Sequence, residues 1–150
     1  MVAGVIMAIF LSSLFALNGS SLSAIRNAKE STCASQVLQQ RIESMRIANW
    51  HNVTDANWLK NNLLNQDAPG GNLLRSATET LSLTPYEGTT SNETKITRSA
   101  GVASIVSQNT GMLTENAAKV VWTINYRGAP NDRPYSRQIV AILAKGGVAR

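Results

Sequence analysis

Residues 1–17 read MVAGVIMAIFLSSLFAL, a run with fourteen apolar residues and no charged one. As a helix this run would span about 25 Å, slightly less than the roughly 30 Å hydrocarbon core of a bilayer. The alternative is the hydrophobic region of a cleaved signal peptide, but such a peptide opens with basic residues. The first basic residue here is Arg26. The run therefore favours a membrane-spanning helix over a signal peptide.

A helical pattern continues beyond this run. No proline occurs before Pro69, and apolar residues recur three or four positions apart, with polar residues such as Glu30 and Arg46 on the other face. The half of the stripe after Cys33 should face the core. The predicted stripe consists of Leu22, Ile25, Ala28, Ala34, Leu38, Ile42, Met45 and Asn49. We therefore expect one helix over residues 1–48, about 70 Å long. Residues 18–21 contain Gly19 and are the place where it could bend without breaking.

The remaining sequence predicts a small β-rich domain. A short helix capped by Asp55 is expected over residues 55–65, within a polar, loop-like stretch. The apolar period then changes to two, which predicts strands at 80–84, 95–99, 102–107, 119–127 and 138–144. One face of the fourth strand should receive the helix, through Val120, Trp122, Ile124 and Tyr126. The predicted fold is α+β: a long N-terminal helix, apolar then amphipathic, packed on a small antiparallel β-sheet of four or five strands.

Two segments resemble parts of a known family. Val2–Ile9 is similar to the body of the prepilin N-terminal signature, and Leu38–Arg46 is similar to the end of the first helix in minor pilin-like proteins. The first third of the chain thus resembles a type IV pilin or pseudopilin. In that family a leader, a cleavage-site glycine and a glutamate precede this segment. We expect them upstream of Met1, so that Met1 itself lies inside a longer hydrophobic helix.

The resemblance implies a pilin-like fold and a structural role. The chain would be a subunit, of the minor kind, in a type IV pilus or a type II secretion-like filament, which serve adhesion or secretion. Residues 1–25 would form the transmembrane or filament-core half of the helix, and residues 26–150 the amphipathic half plus the globular domain. The implied partners are other pilin-like subunits and the inner membrane, with the C-terminal domain in the periplasm or in an extracellular filament. The implied filament-core side chains are Val2, Val5, Ile6, Ile9, Phe10, Leu14 and Leu17.

The charge is distributed unevenly along the chain. Residues 1–118 carry eight basic and eight acidic residues, so the whole formal net charge of +5 lies in residues 119–150. Basic groups close to Tyr126 and Tyr135 indicate a surface that contacts DNA phosphates or an acidic neighbouring subunit, the alternative being a solvated hairpin. DNA is therefore a candidate partner. The candidate contact residues are Arg127, Arg133, Arg137 and Lys145.

Residues that carry chemistry are sparse. Cys33 is the only cysteine, so the chain can form neither an internal disulfide nor a cysteine-based zinc site. His51 is the only histidine, and the carboxylates form no catalytic pair. Gly70 and Gly71 are not followed by the residues of a phosphate-binding loop. We expect no enzymatic activity, no cofactor and no metal site.

One function of another class stays open at this stage. The chain could be an exported soluble domain that binds a ligand or DNA and follows a cleaved signal peptide. The two hypotheses differ in what precedes Met1. A leader that ends in glycine, followed by an apolar stretch with a glutamate, would support the pilin-like hypothesis, and its absence would contradict it.

Overall fold

The chain begins with one long helix. The computed structural model describes residues 2–68, 70–87, 93–128 and 132–146, without the side chain of Val2. Helix α1 extends over Val2–Ile47 and passes through residues 18–21 without a break. The helix predicted over residues 1–48 is therefore confirmed over the described residues.

Three short helical turns follow α1. Helix α2 spans Trp50–Thr54, helix α3 spans Ala56–Trp58, and a π-helical turn at Leu59–Leu64 continues α3. Asp55 caps α3 as predicted, because its Oδ1 accepts a hydrogen bond from the backbone N–H of Asn57 at 2.9 Å. Helix α2 lies in the polar, loop-like stretch around the helix predicted over residues 55–65, and its residues favour helices weakly. An N-terminal cap stabilises α2: Asn49 Oδ1 accepts a hydrogen bond from the backbone N–H of Asn52 at 3.0 Å.

Five antiparallel strands form a single sheet. This confirms the predicted antiparallel sheet of four or five strands. They are β1 (Arg75–Pro85), β2 (Thr94–Ser99), β3 (Val102–Ser107), β4 (Ala117–Gly128) and β5 (Arg133–Ala144). The spatial order is β3-β2-β1-β4-β5, so β3 and β5 are the edge strands. Short 3₁₀ turns at Gly71–Leu73 and Thr110–Thr114 precede β1 and β4.

Two strands begin earlier than their sequence pattern predicted. β1 begins at Arg75 rather than residue 80, with an irregular register between Arg75 and Thr78 and a positive φ of 49° at Ser76. β5 begins at Arg133 rather than residue 138. Its first residues are polar and include Pro134, which an edge strand tolerates because one side of its backbone needs no partner strand. Alternation of apolar and polar residues, the signal used for prediction, is missing from both strand starts.

The core lies on one face of the sheet. The C-terminal half of α1 packs over β4 and β5, and the π-helical turn packs over β2 and β3. The predicted face of β4 is confirmed: Val120, Trp122 and Ile124 are fully buried and Tyr126 is almost so. The apolar residues that α1 contributes to the core are Cys33, Ala34, Val37, Leu38, Ile42 and Met45.

The apolar stripe of α1 faces the core after Cys33, as predicted, and is exposed before it. Leu22 and Ile25 are 58% and 64% exposed, whereas Glu30, which was placed on the polar face, is buried. The part of α1 that the domain begins to cover consists of Ser23, Asn27 and Glu30, which are partly or fully buried. These polar residues share one face of the helix, and Leu22 and Ile25 lie on another. Leu22 and Ile25 therefore extend the exposed apolar half of the helix instead of the core.

Candidate functional site

The N-terminal half of α1 is the largest exposed apolar surface of the described chain. Of the predicted filament-core residues, six have described side chains, and these are exposed by 41% at Leu14 to 64% at Ile9. The side chain of Val2 lies outside the described residues. The six are Val5, Ile6, Ile9, Phe10, Leu14 and Leu17. Phe15, at 75% exposure, was not among them although it belongs to the same surface.

The two halves of α1 differ sharply in burial. Within the packed half, Ala34, Val37, Leu38, Ile42 and Met45 are at most 3% exposed. Because the helix is continuous, the packed half fixes the direction in which the apolar half leaves the domain. A helix that is apolar all round needs either a bilayer or neighbouring helices to cover it. By length and composition, α1 suffices to cross a membrane.

Three of the hydroxyl groups in the apolar half form hydrogen bonds inside the helix. The hydroxyls of Ser12, Ser13 and Ser20 donate to the carbonyls of the residues three positions earlier, at 2.8–2.9 Å. Such internal bonds lower the cost of placing a hydroxyl in an apolar environment. The surface also contains small residues, which allow close approach of a neighbouring helix. They are Ala3, Gly4, Ala8, Ser12, Ser13 and Ala16.

The four predicted basic contact residues do not form one patch. Arg127, Arg133 and Arg137 lie at the end of the sheet where β4 turns into β5, but Lys145 follows the opposite end of β5. Twelve residues separate Arg133 from Lys145, about 40 Å along an extended strand. The register also places Arg127 on the opposite face of the sheet from Arg133. Arg127 pairs with Asp132 at 3.1 Å, and Arg137 donates to Ser31 Oγ of α1 at 2.6 Å.

The only cysteine and the only histidine of the chain lie on different helices, α1 and α2. Cys33 is buried under the loop before β1, and its thiol donates to the carbonyl oxygen of Gly70 at 2.8 Å. Burial raises the pKa of this thiol, and the positive charge of Lys29 lowers it by less. His51 is exposed on α2. Among the described residues, no group of three histidine, cysteine or acidic side chains could hold a metal ion.

A buried ionic network joins α1 to the sheet, and sequence reasoning missed it. Arg41 Nε lies 3.2 Å from Glu79 Oε2, and Arg98 Nη1 lies 2.9 Å from Glu79 Oε1. Arg41 also donates to the carbonyls of Leu63 and Gln66. Its guanidinium carbon lies 5.9 Å from the Trp122 ring centroid. The network connects α1, the π-helical turn and the central strand β1, and both partners of the first pair are buried. Loss of either partner would leave the other as an uncompensated buried charge.

The surface of the described chain contains two clefts large enough for a small molecule. One, of about 680 Å³, lies between the end of α1, α2 and the end of β5 and is lined mainly by apolar and backbone groups. The other, of about 780 Å³, lies between the loop before β1 and the β2–β3 turn. Its charged side chains, Asp67 and Arg98, are paired with each other at 2.5 Å. The described residues that line the two clefts do not include Cys33 or His51.

Comparison of the chain with protein-family models, with curated protein sequences and with solved structures finds no match. The geometry of α1 is therefore the observation from which a function can be inferred.

Proposed function

We propose that the protein is a pilin-like or pseudopilin-like structural subunit, anchored by the apolar half of α1. This half would span the inner membrane before assembly and pack with neighbouring helices in the core of a filament afterwards. The globular domain would face the periplasm, or the outside of the filament. The filament would be a type IV pilus or a type II secretion-like assembly, with this chain as a minor subunit.

The proposal depends on one observation: a single helix is buried over its second half and exposed over its apolar first half. Folding alone gives the apolar half nothing to pack against among the described residues. A contiguous exposed apolar surface of this kind is typical of a membrane or protein interface. The resemblance of Val2–Ile9 to the prepilin signature is what favours a filament over a simple anchor.

The rival proposal is a soluble domain released by signal-peptide cleavage. Cleavage after residues 14–16 would cut α1 within its continuous apolar half. The remaining Leu22 and Ile25, 58% and 64% exposed, would then stay uncovered in water. Both features support a retained helix.

The proposal is tested by the location and the N-terminus of the mature chain. We expect the chain to stay in the membrane pellet after alkaline carbonate extraction. Mass spectrometry of the pelleted chain should find residues 2–25 still attached. A soluble chain that begins near residue 17 would contradict the proposal and support the rival.

A further inference from the structure

The end of the domain from which the apolar half of α1 emerges is built from three segments. They are α1 residues 26–31, the start of β1 and the β4–β5 turn. Arg137 contacts Ser31 of α1, and a Cβ atom at Gly128 would lie 3.2 Å from Glu30 Oε2. Arg75 pairs with Arg127 in the β1–β4 register. These contacts bring basic residues from distant parts of the sequence to one end of the domain.

This end carries a strong excess of positive charge. Six exposed basic residues, here called the basic collar, are Arg26, Lys29, Arg75, Arg127, Arg133 and Arg137. The acidic residues of the same segments are Glu30, which is buried, and Asp132, which pairs with Arg127. Among the residues that the structure describes, the opposite end has no such excess. Its acidic and basic residues balance there: Glu43, Glu87, Glu93 and Glu115 against Arg46, Lys95, Lys119 and Lys145. The positive charge is therefore concentrated at the end of the domain from which the apolar half of α1 emerges.

The basic collar lies level with the end of the apolar surface. Arg26 directly follows Ile25, the last large apolar residue of the exposed half. Arg133 precedes Arg137 by four strand residues, about 13 Å further toward the apolar half. In α1, that distance corresponds to about nine residues before Ser31. Arg133 therefore lies beyond Arg137 on the side of the domain from which the apolar half emerges, where a spanning helix would enter the headgroup layer.

We propose that the basic collar docks on anionic phospholipid headgroups of the membrane that α1 spans. The inference rests on the proposed function, since it needs α1 in a bilayer. Lysine and arginine close to an anionic bilayer surface bind it electrostatically, within a Debye length. DNA offers the same phosphate groups. However, residues that surround the helix where it leaves the bilayer face the lipid headgroups, so the headgroups are the phosphates within their reach. The docking would hold the domain against the membrane until assembly.

The test uses the full chain in liposomes, with a fluorophore on Ser136→Cys in a Cys33→Ala background. Ser136 is exposed and lies beside the collar, paired with Asn125 in the sheet. Energy transfer to a headgroup-labelled lipid reports how close the domain lies. We expect transfer about twofold higher with roughly one-third phosphatidylglycerol than with phosphatidylcholine alone. This gain should disappear at about 1 M salt, where the Debye length is about 3 Å.

Two matched triple variants distinguish the collar from general charge. Lys29→Gln, Arg75→Gln and Arg133→Gln together should abolish the gain. Lys95→Gln, Lys119→Gln and Lys145→Gln together, which remove equal charge from the opposite end, should leave it intact. Equal transfer in both lipids, or equal loss in both variants, would overturn the inference. Duplex DNA binding in neutral liposomes, lost with the collar variant and without any lipid preference, would overturn it in favour of nucleic acid.

Carbonate extraction of the same liposomes separates the two proposals. If the chain resists extraction from both lipid compositions but energy transfer does not depend on lipid charge, the docking proposal is contradicted and the membrane anchor is not. A chain that is extracted from the neutral liposomes contradicts the membrane anchor and the docking that depends on it.

Discussion

The substitution Ile9→Asp should remove the chain from the membrane fraction and prevent its assembly. Ile9 lies in the middle of the apolar run and is 64% exposed, so the domain does not shield it. On insertion scales, exchanging isoleucine for aspartate near a helix centre costs about 3 to 4 kcal/mol. This corresponds to a reduction of the equilibrium constant for insertion by more than roughly a hundredfold. Alkaline carbonate extraction followed by immunodetection measures it.

Ile47→Asp is the matched control for this substitution. Ile47 is an isoleucine of the same helix and is 86% exposed, but it lies at the C-terminal end, beyond the packed half. An acidic residue there should cost only about 0.5 kcal/mol through the helix dipole and leave membrane retention unchanged. Retention of the Ile9→Asp chain equal to that of the control would show that the apolar half of α1 is not embedded.

Glu79→Gln should lower the free energy of unfolding of the domain by about 3 to 5 kcal/mol. The carboxylate of Glu79 is buried and accepts hydrogen bonds from two guanidinium groups, those of Arg41 and Arg98. Neutralising it leaves Arg41 as a buried cation with only carbonyl and ring partners. Thermal or urea unfolding in detergent, followed by tryptophan fluorescence, measures the loss.

Two further variants test the reason for this loss. Glu43→Gln removes the acidic partner of Arg46 in a pair whose side chains are 63% and 50% exposed, and should cost less than about 1 kcal/mol. Arg41→Met should cost less than Glu79→Gln, because Glu79 keeps Arg98 as a partner. If Glu79→Gln were no more destabilising than Glu43→Gln, the network would not hold α1 on the sheet.

Much of the fold follows from local periodicity. The change from a period of about 3.6 residues to a period of two predicted α1 and the strands, and the alternation in β4 predicted the buried face that includes Trp122. Periodicity failed where contacts are set by the tertiary arrangement. Glu30 lies on the face that the domain covers, and the polar start of β5 is a strand because β4 offers it a partner.

The candidate site was predicted in part. The exposed half of α1 was recognisable because fourteen apolar residues occur without a charge in residues 1–17. The ionic network was not, since Arg41, Glu79 and Arg98 lie far apart in the sequence and meet only through the sheet register. The charge asymmetry was placed in the last 32 residues by sequence. In the folded domain the basic residues are distributed differently. Lys145 lies at one end of the sheet, whereas Arg26 and Lys29 lie with Arg133 at the other end.

Helix-to-helix cross-linking tests the central claim most directly, namely that the apolar halves of α1 from different copies pack together. The measurement compares Ile9→Cys with Ile47→Cys, each in a Cys33→Ala background, after mild oxidation of assembled filaments. We predict disulfide-linked dimers for Ile9→Cys and monomers for Ile47→Cys, because outside the bilayer the apolar half must be covered by neighbouring helices. Monomers for both variants, or equal cross-linking at both positions, would contradict a filament core built from this half of the helix.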